Sequence, residues 1–280
     1  MRKIGVALAI ALAAVPSAAA ADTDRVQVGG SGSTRDFSRQ TYVTVTAPDA
    51  YVKTGFDGDH GDWRGPPCIV SSNPSLSDDV SVSWTVGFSD SYRTAEEAAD
   101  RGRTFRDMPT VQQGTIEIPH RIRGKEVGGI TGYFILAQTR QEYGWAEIGL
   151  GVPLTRGVFV AARFWSTGPS FRCAVGGTSS ELWHLQAALA AAERVVIDGN
   201  LPAARLRANG QRRRVVGFLS DGFGHPVVGV RVRIDRKVGP SWRRAGWAST
   251  NASGYYKALA LPGVVRAAFG SLRSRAVRVR

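Results

Sequence analysis

Cysteine, histidine and lysine are scarce in this 280-residue chain, and each scarcity removes a class of chemistry. There are two Cys, four His and five Lys. Neither Cys68 nor Cys173 has a neighbouring His in the sequence, which argues against a cysteine nucleophile. His60, His120, His184 and His225 form no H-E-x-x-H motif and no metal-finger pattern with cysteine. His184 and His225 read as structural. A G-x-S-x-G elbow is missing, and Gly29-Gly-Ser-Gly32 has no strand or helix context for phosphate binding. No catalytic residue and no cofactor is assigned. Paired carboxylates for glycoside hydrolysis have no fixed sequence spacing and stay open. The seven Trp are read mainly as core.

Apolar runs are short. Residues 4–15 are apolar throughout, behind Arg2 and Lys3, and small alanines follow Pro16 and Ser17. This is the pattern of a cleavable signal peptide over residues 1–21. The run is shorter than the roughly 20 residues that span a bilayer, so an uncleaved anchor is the lesser reading. No later stretch is long and apolar enough to cross a membrane, so no transmembrane segment remains after cleavage. The destination is secreted or periplasmic, hence extracytoplasmic. In an oxidising compartment Cys68 and Cys173 read as one disulfide, with two buried free thiols as the alternative. Closing a loop of that length stabilises by up to about 4–5 kcal/mol on the chain-entropy model.

Acid is nearly absent from the C-terminal part. Residues 205–280 hold 17 Lys and Arg against two Asp and Glu, whereas residues 22–204 hold 17 against 21. The charge changes over at residues 199–204, where Gly199 and Pro202 mark a helix end and a linker. The expected organisation is a flexible lead-in at 22–40, a first domain at 41–199, a linker at 200–209 and a basic domain at 210–280.

In the first domain, 41–46 and 80–86 alternate as strands, with a long loop at 48–79 between them. Further strands are expected at 114–123, 129–138, 143–150 and 157–166. Thr94 to Glu97 is a capping box ahead of a short helix. Thr178 to Glu181 reads as a second, ahead of a long helix at 181–196 with Leu182, Leu185, Leu189, Ala192 and Val196 along one stripe. The expectation is an α+β fold, an antiparallel sheet backed by a long C-terminal helix. A meander followed by a helix resembles the Mog1/PsbP-like group; no motif carries that resemblance, and nothing is transferred from it.

The second domain has strand candidates every eight to twelve residues, separated by turns, which argues for a small all-β sandwich. Gly217-Phe-Leu-Ser-Asp221, residues 224–234 beginning Gly-His-Pro-Val-Val-Gly-Val, and residues 248–256 ending Gly-Tyr-Tyr are similar to the carboxypeptidase regulatory-like and related bacterial Ig-like modules. The resemblance covers about 70 residues. It implies an Ig-like β-sandwich of accessory, spacing or adhesive use, and gives no account of the arginines.

Those arginines are the main functional signal. Arg231 and Arg233 alternate with Val and Ile, as do Arg278 and Arg280, so guanidinium groups stand on one face and aliphatic groups on the other. Arg212, Arg213, Arg214, Arg243 and Arg244 add to them. Such a field suits a polyanion, for example an anionic cell-envelope polymer. The bland alternative is a solvated β face that took arginine from a biased composition, 31 Arg to five Lys. Sequence-specific nucleic-acid recognition is not indicated, because no reading motif is present. Asp57, Asp59 and Asp62, with His60, form a weak Ca²⁺ candidate in a Gly-rich loop. The functional expectation is a secreted, non-enzymatic binding or envelope-associated protein. The alternatives are a hydrolase with its site near residues 56–64, and a C-terminal module that is only a spacer.

Overall fold

The computed structural model describes residues 22–28, 37, 40–69, 77–138, 143–155, 157–169, 173–175, 178–180 and 183–280. The expected signal peptide lies outside the described residues. Strands β1 (Thr23–Gln27), β2 (Tyr42–Thr46), β3 (Val52–Asp57), β4 (His60–Ile69) and β5 (Ser77–Ser89) precede helix α1 (Ala95–Gly102). Next come β6 (Thr110–Ile122), β7 (Lys125–Gln138), β8 (Tyr143–Thr155), β9 (Val158–Pro169), β10 (Cys173–Val175) and β11 (Thr178–Ser180). Helix α2 (Trp183–Glu193) and β12 (Val196–Asp198) end this part of the chain.

Ten of these strands form one sheet in the order β1-β2-β12-β6-β7-β8-β9-β5-β4-β3. Its two edges come back towards one another. The Lys53 backbone N–H on β3 donates to Asp22 Oδ2 at 2.9 Å, and the Lys53 ammonium pairs with the buried Asp24 of β1. The result is a nearly closed, barrel-like sheet filled by Trp63, Trp84, Phe164, Ile118, Ile130, Ile148 and Leu150.

The α+β expectation is therefore corrected: the unit is mostly β, and no long C-terminal helix backs a sheet. Helix α2 has 11 residues, and among its described side chains Ala187, Ala188, Ala191 and Ala192 are buried while Leu189 is partly buried. Small side chains let it sit inside the curve of the sheet, against β8, β9 and β5. It ends early because Val195-Val196-Ile197 is a β-branched run with strand partners on both sides. Ile197 pairs with Val43 of β2 and in parallel with His120 of β6. Thr178 belongs to a strand rather than a cap. The Thr94 box does form: the Glu97 N–H donates to Thr94 Oγ1 at 3.0 Å, and the Arg93 N–H donates to Glu97 Oε2 at 2.9 Å. Helix α1 lies on the side of β8 that carries Gly149 and Gly151, where a Cβ would stand 2.0 Å and 1.9 Å from the carbonyl oxygens of Ala99 and Ala95.

Three further expectations differ from the structure. Part of the lead-in at 22–40 is strand β1. Most of the long loop at 48–79 is the β3–β4 hairpin, which escaped periodicity because none of the β3 side chains is buried. The linker at 200–209 is largely occupied by a strand of the next unit. The side chains of Cys68 and Cys173 lie outside the described residues; the strands that carry them, β4 and β10, are neighbours.

The second unit comprises β13 (Ala203–Gln211), β14 (Arg214–Asp221), β15 (Arg231–Val238), β16 (Ser241–Ser249), β17 (Tyr255–Leu259), β18 (Gly263–Phe269), β19 (Leu272–Arg273) and β20 (Val277–Val279). One sheet has the order β13-β14-β17; the other has β16-β15-β18-β19, with β20 also on β18. Between them Val215, Leu219, Val232, Ile234, Tyr256, Val265 and Ala267 form a separate core. Among the described residues no helix is long and apolar enough to cross a membrane.

Candidate functional site

On β15 the two-residue period separates charge from core. Val232 and Ile234 are buried, Arg231 is exposed and Arg233 is half-buried. The arginines do not act alike, however. Arg233 Nε donates to Asp235 Oδ1 at 2.8 Å, and Arg266 Nε stands 3.6 Å from Asp235 Oδ2, so the buried Asp235 holds two guanidinium groups. Arg231 lies over the Trp247 ring at 5.1 Å and Arg266 over Trp242 at 4.3 Å, cation–π contacts that fix both side chains to the sheet.

Part of the unpaired positive charge gathers at one end of the sandwich. Arg213 sits in the β13–β14 turn at φ 54°, a left-handed conformation uncommon for a non-glycine residue. Its N–H bonds to the Arg280 carbonyl at 2.9 Å, which draws the tip of that turn to the chain's last residue. Arg213, Arg236, Arg243 and Arg244 then line a cleft of about 630 Å³ with Val238, Leu259, Leu261 and Pro262. No acidic side chain lines the cleft, and none of the four arginines has a carboxylate partner among the described residues. Arg212, Arg214, Arg278 and Arg280 are exposed. Of the nine arginines singled out from sequence, three reach the cleft; Arg236 was missed there because it falls outside the alternating pattern, beyond a bulge at Ile234/Asp235.

The acidic candidate of the first unit does not assemble. Asp57, Asp59, His60 and Asp62 are all exposed on the β3–β4 hairpin, whose turn is made by Gly58 at φ 61°. Among the described residues the Asp59 carboxylate reaches only His60 Nδ1, at 3.3 Å.

A different group converges where barrel and sandwich meet. His120 of β6, fully buried, places Nδ1 2.9 Å from Nδ1 of His225 and directs Nε2 at the Gly199 carbonyl, 2.7 Å away. Asp221, at the end of β14, completes the group: its Oδ2 lies 3.5 Å from His225 Nδ1 and 3.9 Å from His120 Nδ1. Asp221 Oδ1 accepts the N–H groups of Phe223 and His225, both at 2.9 Å, which shapes the β14–β15 turn. Burial holds the His120 imidazolium below its usual range and pushes the Asp221 carboxyl above its own. The sequence gives one weak signal for this group, Asp221 and His225 four apart in a Gly-rich turn; His120 lies 105 residues before His225. No family model matches the chain, and no curated protein is significantly similar to it.

Proposed function

We propose that this is an exported, non-enzymatic binding protein whose C-terminal sandwich holds an anionic polymer at the arginine-lined cleft. One observation carries the reading: four guanidinium groups without carboxylate partners share an acid-free concavity with apolar walls. Charge-neutral surfaces distribute such groups or match them with acids. Concentration in a concave site raises the local potential and the association rate for anions. Guanidinium forks suit carboxylate, sulfate and phosphate alike, and the apolar walls suit the carbon skeleton between those charges. Exposure of Asp57, Asp59, His60 and Asp62 leaves the hydrolase alternative near residues 56–64 without a converging site.

Heparin, a sulfated polysaccharide, is the probe. Its affinity should fall linearly in log salt, and Arg243→Ser with Arg244→Ser should lower both the affinity and the slope, by roughly one for each guanidinium–sulfate pair removed. Salt-insensitive retention, or a double variant equal to wild type, would overturn the proposal and leave the module as a spacer. Leu259 and Leu261, 83% and 70% exposed, favour a second reading, an anionic amphiphile. Tighter binding of dodecyl sulfate monomers than of heparin, lost in Leu259→Ser, would select it.

A further inference from the structure

We propose that His120, Asp221 and His225 form a zinc-class metal site that clamps the barrel to the sandwich. Such a site depends neither on the cleft nor on any anionic ligand.

Geometry comes first. The three candidate ligand atoms, His120 Nδ1, His225 Nδ1 and Asp221 Oδ2, are separated by 2.9, 3.5 and 3.9 Å. A tetrahedral ion with bonds of about 2.0–2.1 Å separates its ligands by about 3.3–3.4 Å. The observed triangle brackets that edge, so an ion needs side-chain shifts of only tenths of an ångström.

The donor atoms are also prepared. His120 Nε2 donates to the Gly199 carbonyl, which places the lone pair of the neutral ring on Nδ1, facing the group. Gly199 can offer that carbonyl because its φ of 103° needs glycine, and a Cβ there would stand 2.3 Å from the Gln40 oxygen. Asp221 spends Oδ1 on two turn N–H groups and leaves Oδ2, buried, with no hydrogen-bond partner. Its side chain is only 1% exposed. A buried carboxylate oxygen facing two imidazole nitrogens, with His120 and Asp221 each oriented by a second hydrogen bond, is the arrangement that metal sites require of their surroundings. Without an ion, a proton between the imidazoles satisfies one pair and leaves Asp221 Oδ2 unmatched, which is costly in a buried site.

Chemistry selects the ion. Two imidazoles and one carboxylate suit zinc and its neighbours, whereas calcium and magnesium prefer all-oxygen sets. Phe223 stacks on His225 with ring centroids 6.0 Å apart, and Gly128 leaves no room for a Cβ, which would stand 2.4 Å from His225 Nε2. Both contacts hold the ring in place. His120 comes from the barrel, and Asp221 and His225 come from the sandwich, so one ion would tie the two cores together.

The test uses the full chain, free of any histidine tag and stripped with a chelator. Titration with Co²⁺ should give one equivalent bound, with the visible absorption of a tetrahedral cobalt site, and Zn²⁺ should displace it. His225→Gln and Asp221→Asn should each lose at least about tenfold in Zn²⁺ affinity while keeping the wild-type far-ultraviolet circular dichroism. Asp221→Asn retains the oxygen that accepts the turn N–H groups, so it guards against a folding artefact. Zn²⁺ should raise the Tm of the wild type and leave that of the variants unchanged. Binding below one equivalent, or binding retained by both variants, would overturn the assignment in favour of a metal-free hydrogen-bonded pair.

Discussion

Lys53 on β3 reaches Asp24 on β1 and so joins the two edge strands of the ten-stranded sheet. Asp24 is buried, Lys53 is the counter-ion at its Oδ1, and its Oδ2 has no hydrogen-bond partner. The seam is closed by this pair and by the Lys53 N–H to Asp22, rather than by a ladder of backbone bonds. Lys53→Met should leave a buried carboxylate uncompensated and cost about 1–3 kcal/mol. The value is held below that of a fully buried pair because the Lys53 side chain is 35% exposed. Urea denaturation reads the loss, and hydrogen exchange should quicken in β1 first. Unchanged exchange there would mean that the seam is held by something else.

Asn200 and Val228 make a second junction: the Asn200 amide donates to the Val228 carbonyl and accepts from its N–H, both at 2.8 Å. Asn200→Ala should cost about 1–3 kcal/mol, since two part-buried backbone groups lose their partner. Faster exchange of the Val228 amide, with the barrel amides unaffected, would locate the effect between the two cores.

These junctions explain which parts of the molecule the sequence made legible. Burial of Val232 and Ile234 beside outward Arg231 and Arg233 is a property of one strand, and a period of two reports it directly. The helical stripe expected through Leu182, Leu185, Leu189, Ala192 and Val196 ran too far, because Val196 belongs to strand β12; among the described side chains of α2 the buried ones are Ala187, Ala188, Ala191 and Ala192. The β3–β4 hairpin was invisible because its first strand buries no side chain. The pairing of Asp24 with Lys53, and the meeting of His120 with Asp221 and His225, depend on sheet closure and on how two cores meet, which no local period encodes.

Arg194, just past α2, grips Asp49 with both nitrogens, at 2.7 and 2.9 Å, and donates to the Ala47 carbonyl at 2.8 Å. The hydrogen bond and charge of Arg194 hold the Asp49 carboxyl below its ordinary value of 3.8. A depressed carboxyl contributes stability above its unfolded-state pKa and loses it as pH falls through the folded-state value. The Tm difference between wild type and Asp49→Asn should therefore be small but present at pH 6, and should shrink below pH 3.8. A difference that stays constant into acid would assign the effect to shape rather than charge.

Gly151 carries the sharpest steric prediction. Helix α1 rests its backbone on β8, and a Cβ at position 151 would stand 1.9 Å from the Ala95 carbonyl oxygen and 2.8 Å from the Ala99 nitrogen. Both are main-chain atoms of the helix and cannot rotate away as a side chain would. Gly151→Ala must lift α1 or bend β8, at a cost of at least about 1–3 kcal/mol. Gly246→Ala is the control: it lies in a strand too, with no atom near its absent Cβ and no positive φ, so it should leave Tm nearly unchanged. The contrast separates close approach from the general effect of adding a methyl group to a strand glycine. Equal Tm values for the two variants would show that α1 does not rest on β8 in solution. Exchange of the Ala98 and Ala99 amides would then be expected to match that of exposed turns, because the burial of those two residues depends on the same contact.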